Sequence, residues 1–137
     1  MNNRFYVLIM AALLLSITAC ATTDGTGETT KYSMVDVQTA RSMHDSGAVF
    51  IDVRTVSSFD DGHIPGAYNI PISSLTASSL GKVADKGQDV VFYCYGISCD
   101  YSNKASSKAR YWGYQNVFYF MKGYPAWLDA GYPVETS

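Results

Sequence analysis

The chain has 137 residues, enough for one domain with a sizeable core and too few for two, and carries a formal charge of -2 with 16% charged residues. No basic run and no interleaving of basic with aromatic residues occurs along it, which argues against nucleic acid as a partner.

The first twenty residues, MNNRFYVLIMAALLLSITAC, combine Arg4, an apolar run and small residues ahead of a cysteine, the three parts of a secretory leader. The apolar run is short for a membrane span. Its end, Ile17-Thr18-Ala19-Cys20, resembles the lipobox of bacterial lipoproteins, where the cysteine is acylated and becomes the new N-terminus. That resemblance implies a signal peptide over residues 1–19, lipidation at Cys20, and an exported lipoprotein anchored to a membrane on the periplasmic face of a bacterial envelope. Two or more acyl chains anchor stably where one does not. The alternative is an ordinary secretory signal that ends near a cysteine. Residues 20–31 then form the lipidated N-terminus and a flexible Thr/Gly-rich tether, and residues 32–137 the folded domain.

Within that domain, Asp36 is placed to cap a helix whose apolar positions Val37, Ala40 and Met43 recur at helical spacing, with Gly47 as its stop. Ala48 to Ile51 follows as a strand, Tyr68 to Ile70 as a brief one, and Ser74 to Val83 as one or two short helices around Gly81. Val90 to Tyr93 is a further strand. Ser102 is placed to cap the next helix, in which Ala105, Ala109 and Trp112 share a face while Lys104, Lys108 and Arg110 stay in water, and Gly113 ends it. Val117 to Met121 reads as a strand and Ala126 to Ala130 as a terminal helix stopped by Gly131 and Pro133. The three apolar runs do not alternate, which is the pattern of strands buried on both faces. Strands alternating with helices predict an α/β fold, a parallel β-sheet flanked by helices on both faces.

Ligands of such sheets sit beyond the carboxyl ends of the strands. The segment VVFYCYGISCDYSNKAS, residues 90–106, is therefore the best-placed part of the chain for chemistry. Cys94 ends a strand where a helix dipole begins, a position that favours the thiolate. Backbone N–H groups in a loop containing Gly96 can turn inward to cradle an anion or the outer sulfur of a persulfide. Tyr95, Gly96, Ile97, Ser98, Asp100 and Tyr101 make up the candidate substrate-binding loop. A small buried residue at a strand end is the bland alternative for Cys94. His44 and His63 lie far from the cysteines in sequence, and two cysteines lack the further ligands that zinc requires, so no metal is expected. No nucleotide-binding glycine motif occurs, and no cofactor is expected.

Three motifs resemble those of single-domain rhodaneses, the sulfurtransferase family: Ile51-Asp52-Val53-Arg54 with Phe59 to Pro71 (FDDGHIPGAYNIP), Phe92-Tyr93-Cys94 opening the loop, and Gly123 to Val134 (GYPAWLDAGYPV). The resemblance implies a rhodanese-like fold in which Cys94 takes sulfane sulfur from a small sulfur-containing donor as a persulfide and passes it to a thiophilic acceptor. His63, Asp52 and Arg54 read as structural braces. Against the family pattern the loop is two residues longer, Tyr95 follows the cysteine, and Tyr101 stands where an arginine is usual. No Lys or Arg lies between Cys94 and Tyr101, so an anionic donor is expected to meet only backbone donors, the helix end, Ser98 and the tyrosine hydroxyls. A phosphatase on this fold would need that arginine to clamp phosphate. Cys99 makes a C-x-x-x-x-C loop and is a candidate resolving thiol. Two other readings stay open: a non-catalytic rhodanese module that binds a partner, and a thiol–disulfide component using Cys94 and Cys99.

Overall fold

The structure, a computed structural model, describes residues 31–137. The leader, Cys20 and the tether up to residue 30 lie outside the described residues. Five parallel strands, β1 (Lys31–Met34), β2 (Val49–Asp52), β3 (Tyr68–Asn69), β4 (Asp89–Tyr93) and β5 (Asn116–Phe120), form one sheet in the order β1-β5-β4-β2-β3. The three apolar runs are its three inner strands, with β4 at the centre. Five α-helices join them: α1 (Val37–Asp45), α2 (Val56–Asp61), α3 (Ala77–Gly81), α4 (Tyr101–Tyr111) and α5 (Gly123–Asp129). Among the described residues no helix is long and apolar enough to cross a membrane.

Alternation along β4 divides the core between the two sheet faces. Val90 and Phe92 pack with Ile51, Leu80, Ala105, Ala109 and Val117, beneath α3 and α4. Val91 and Tyr93 pack with Ala40, Phe50, Phe120 and Trp127, against α1 and α5. Cys94 continues the first set, so its side chain is turned toward the face that α4 covers.

Local chemistry sets most element ends. The Asp36 carboxylate accepts the Thr39 N–H at 2.7 Å and caps α1, which ends before Gly47 at φ 87°. That bond holds the Asp36 carboxyl below its ordinary range. Two elements had no clear sequence signal: β1, an exposed edge strand paired to β5, and α2, a short polar helix capped by the Thr55 hydroxyl. α4 departs from expectation at its start. Asp100 takes the cap position and Ser102 falls inside the first turn, fully buried. The last helix begins three residues earlier than its apolar pattern suggests, at Gly123.

Candidate active site

The register of the sheet assembles the site. Asp52 of β2, Tyr93 of β4 and Phe120 of β5 lie abreast at one edge, so Arg54, Cys94 and the turn Met121-Lys122 into α5 all leave the sheet there. The Tyr124 N–H donates to the Cys94 carbonyl at 3.0 Å, tying α5 to the loop. Gly123, at φ 61°, permits this approach: a Cβ there would collide with the Cys94 carbonyl and press on the Gly96 nitrogen.

Under the loop lies a buried ion pair. Arg54 Nη2 meets Asp52 Oδ2 at 2.6 Å, Arg54 Nε bridges both carboxylate oxygens at 3.0 Å, and Nη2 also donates to the Gly62 carbonyl at 2.7 Å. Burial alone would lower the Arg54 pKa, but the hydrogen bond and charge of Asp52 outweigh it and the net shift is upward. The guanidinium sits 4.3 Å from the Tyr124 ring centroid and 5.8 Å from those of Tyr93 and Tyr95. The Tyr93 hydroxyl accepts the Ile64 N–H, and burial, with the Asp52 charge behind it, pushes its pKa far upward, so it remains a neutral phenol.

His63 is buried at the edge of this platform. Its ring stacks on Phe59 at 3.6 Å, its Nδ1 bonds the Phe59 carbonyl at 2.8 Å, and its Nε2 faces Glu135 at 3.7 Å. Its backbone exchanges hydrogen bonds with that of Glu135, so the residue pins the C-terminal segment.

The loop itself is shaped by backbone. Gly96 adopts φ 139°, and its carbonyl accepts the Cys99 N–H at 2.9 Å, folding the chain back on itself. Cys94 is fully buried, and its thiol donates to the Cys99 carbonyl at 3.2 Å. Cys99 is half-buried, packs on the same core cluster, and is a free thiol like Cys94. Burial and the adjoining Cys94 thiol raise its pKa, while backbone N–H groups of Tyr101 and Tyr95 aimed at its sulfur pull the other way. The two cysteines thus share one turn, in which backbone N–H groups point at the Cys99 sulfur and a carbonyl accepts from the Cys94 thiol. Two further donors stand at its far end: α4 starts without a side-chain cap, and the buried Ser102 hydroxyl has no hydrogen-bond partner among the described residues.

The candidate loop residues divide into two groups. Tyr95, Gly96, Ile97 and Ser98 form one wall of an open groove of about 690 Å³, whose other wall is Lys122, Pro125, Ala126 and Asp129. Asp100 and Tyr101 do not line it; Asp100 pairs with Lys104 at 3.0 Å on the exposed side of α4. The Tyr95 hydroxyl is turned away from the loop to Ser58 at 3.0 Å and to Thr55, bonds that lower its pKa. Neither Cys94 nor Cys99 lines this groove. Lys122 lines the groove, brought in by the β5–α5 turn, and its signal in the sequence was only its place next to Gly123. Among the described residues no group of three or more His, Cys, Asp or Glu is arranged to hold a metal ion.

The rhodanese-like domain pattern matches residues 36–130. The chain belongs to the rhodanese-like family. Its relatives include the thiosulfate sulfurtransferase GlpE of Pseudomonas savastanoi pv. phaseolicola, 30% identical over 110 residues that cover 78% of this chain and 96% of that one. Among solved structures, the rhodanese-like domain of the Anabaena sp. Alr3790 protein superposes with a TM-score of 0.66 at 28% identity, over 76% of this chain and 79% of that one. The human single-domain sulfurtransferase TSTD1 gives a TM-score of 0.60 at 27% identity, covering 70% and 95%. In this rhodanese-like chain the parallel sheet and its flanking helices are those of the family, and its three motifs meet at the carboxyl edge described above: the Asp52–Arg54 platform, the Cys94 loop and the start of α5.

Proposed function

We propose that this protein is a sulfurtransferase that carries sulfane sulfur as a persulfide on Cys94 and hands it to a thiol acceptor. The observation that supports the reading is one arrangement: a buried thiol at the end of the central strand, in a turn it shares with Cys99 and that leads into an uncapped helix whose first turn holds the unpartnered hydroxyl of Ser102. Such donors stabilise negative charge on sulfur. In the first half-reaction the Cys94 thiolate attacks the sulfane sulfur of the donor; an S–S bond forms as the donor's own bond to that sulfur breaks, and the donor leaves with the electron pair, as sulfite does from thiosulfate. In the second, an acceptor thiolate attacks the outer sulfur and Cys94 departs as thiolate. Incubation with thiosulfate or a polysulfide should add the mass of one sulfur atom to the protein, and Cys94→Ser should prevent it. A Cys94→Ser protein that still gains sulfur would overturn the assignment.

The contact between the two cysteines favours a second role. After loading, the Cys99 thiolate can attack Cys94 Sγ, giving a Cys94–Cys99 disulfide while the outer sulfur leaves as hydrosulfide; the two thiols are oxidised as the sulfane sulfur is reduced. The loaded wild type, with no acceptor, should then release sulfide, and Cys99→Ser should hold its persulfide. Equal persulfide lifetimes in the two proteins would remove Cys99 from the reaction.

The leader supports export and lipidation at Cys20 as part of the same proposal, with the membrane as the protein's anchor and the periplasmic face as its place of work. Labelled palmitate should enter the wild type and not Cys20→Ser; a labelled variant would count against it.

A further inference from the structure

Lys31, Asn116 and Asp89, the first residues of β1, β5 and β4, lie abreast at the amino edge of the sheet, opposite the edge that Cys94 leaves. The five residues of β4 alone set the two edges roughly 13 Å apart. Cations gather at the amino edge. The Lys31 N–H donates to the Gln115 carbonyl at 2.7 Å and the Gln115 N–H to the Lys86 carbonyl at 2.9 Å, so both lysines flank the turn from α4 to β5. The Lys86 ammonium lies against Gly113 of that turn, 3.6 Å from where a Cβ would stand, and the Arg110 guanidinium sits 4.4 Å from the centre of the Tyr32 ring in β1. Lys108 is exposed one position short of a helical turn before Tyr111, and Tyr111 itself is 89% exposed, the barest large apolar residue among those described.

Helix stability explains part of this pattern. Lys108 and Arg110 stand in the last turn of α4, where a cation complements the peptide dipoles. Lys31, Lys86 and the bare Tyr111 ring gain nothing from that helix. Among the described residues none of the four cations takes part in an ion pair, whereas Arg41 pairs with Asp45, Arg54 with Asp52 and Lys104 with Asp100. The acids beside the four cations are Asp85 and Asp89, so the edge stays basic in a chain whose formal charge is -2.

We propose that this edge rests on the anionic headgroups of the membrane that holds the lipid, with Lys31, Lys86, Lys108 and Arg110 over lipid phosphates and the Tyr111 ring in the interfacial layer. Tyrosine suits that layer, since its ring is apolar and its hydroxyl wet. The chain enters the domain at Lys31, within the patch, and ten residues, 21–30, separate it from Cys20. A segment of that length spans at most about 35 Å. It brings two acids, Asp24 and Glu28, and no cation, so the attraction comes from the folded edge. A surplus of two charges and one ring is too little to hold an untethered protein on a bilayer; on a short tether the contact is intramolecular, at an effective concentration on the order of mM, and weak attraction suffices. Cys94, at the other edge, then faces water, and its sulfur donors and acceptors come from solution. This inference rests on lipidation at Cys20.

The test uses the full, lipidated protein on vesicles of phosphatidylcholine alone and of phosphatidylcholine mixed with phosphatidylglycerol. Acetylation of each lysine by an amine reagent is followed by mass spectrometry. Lys86 and Lys108 should react about threefold more slowly on the anionic vesicles, Lys122 at the opposite edge should react equally on both, and added salt should erase the difference. In the double variant Lys86→Gln, Tyr111→Ser, whose side chains are exposed, the protection of Lys108 should fall close to one while sulfur uptake at Cys94 stays unchanged. Equal rates at Lys86 and Lys108 on the two kinds of vesicle, protection of Lys122 as strong as theirs, or a Lys108 unmoved in the double variant overturn the inference and leave the anchor intact. A protein that fails to float with neutral vesicles brings down the lipoprotein reading, and this inference with it.

Discussion

The platform beneath the active loop and the loop itself handle charge in opposite ways. The platform buries an ion pair, Asp52 with Arg54, hydrogen-bonded through Arg54 Nε and Nη2 to the carboxylate and the Gly62 carbonyl, with three tyrosine rings around the guanidinium. The loop above it carries one charged side chain, Asp100, which faces outward to Lys104. What the loop offers is backbone N–H groups, two thiols and an unpartnered serine hydroxyl. Arg54 is therefore committed to Asp52 and the Gly62 carbonyl, and the charged side chains of the groove are Lys122 and Asp129. Rigidity resides in the platform, and the proposed sulfur chemistry in the turn it supports.

The sharpest way to break this contrast is Arg54→Ala, which leaves the Asp52 carboxylate buried without its partner. Removing one member of a buried pair is expected to cost about 3–5 kcal/mol, read as a lowered urea midpoint. An unchanged midpoint would mean the pair is dispensable. Next is the seam between the two regions. Gly123→Ala puts a Cβ into the Cys94 carbonyl and forces a non-glycine residue into a left-handed conformation, together about 2–4 kcal/mol. Sulfur uptake at Cys94 should fall with it, because the collision displaces the loop. Tyr95→Phe tests the peg between loop and α2. Loss of its bonds to Thr55 and Ser58 should destabilise by about 1 kcal/mol, with the loop more open to protease.

The smallest expected effect is on acidity within the loop. Because burial and the Cys94 thiol raise the Cys99 pKa, at any pH below that raised value less thiolate is present than in free cysteine. In a Cys94→Ser background the pH–rate curve for Cys99 alkylation should then lie closer to that of free cysteine, since one of the two causes is gone. A curve unmoved by that substitution would show that burial alone sets it.

The three inner strands could be read from the chain because each is a continuous apolar run, and burial on both faces leaves no room for polar alternation. β1 could not: its four residues are mostly exposed and gain their place from pairing with β5. α2 was hidden for a related reason, being short and polar with no buried residue. Ser102 is a good cap by type, but the turn from Gly96 to Cys99 delivers Asp100 to the cap position and carries Ser102 inside.

The sequence alone determined the layered α/β class, the family likeness and the position of Cys94 at a strand end, since these follow from local periodicity and contiguous motifs. Only the tertiary structure decided that Arg54 serves Asp52, that the Tyr95 hydroxyl leaves the loop, that both cysteine sulfurs share one turn, and that Lys122 and Asp129 face the groove. Those facts depend on which residues the parallel register carries to the same edge of the sheet. Spacing along the chain says nothing of that, because residues distant in sequence become neighbours only when β2, β4 and β5 pair.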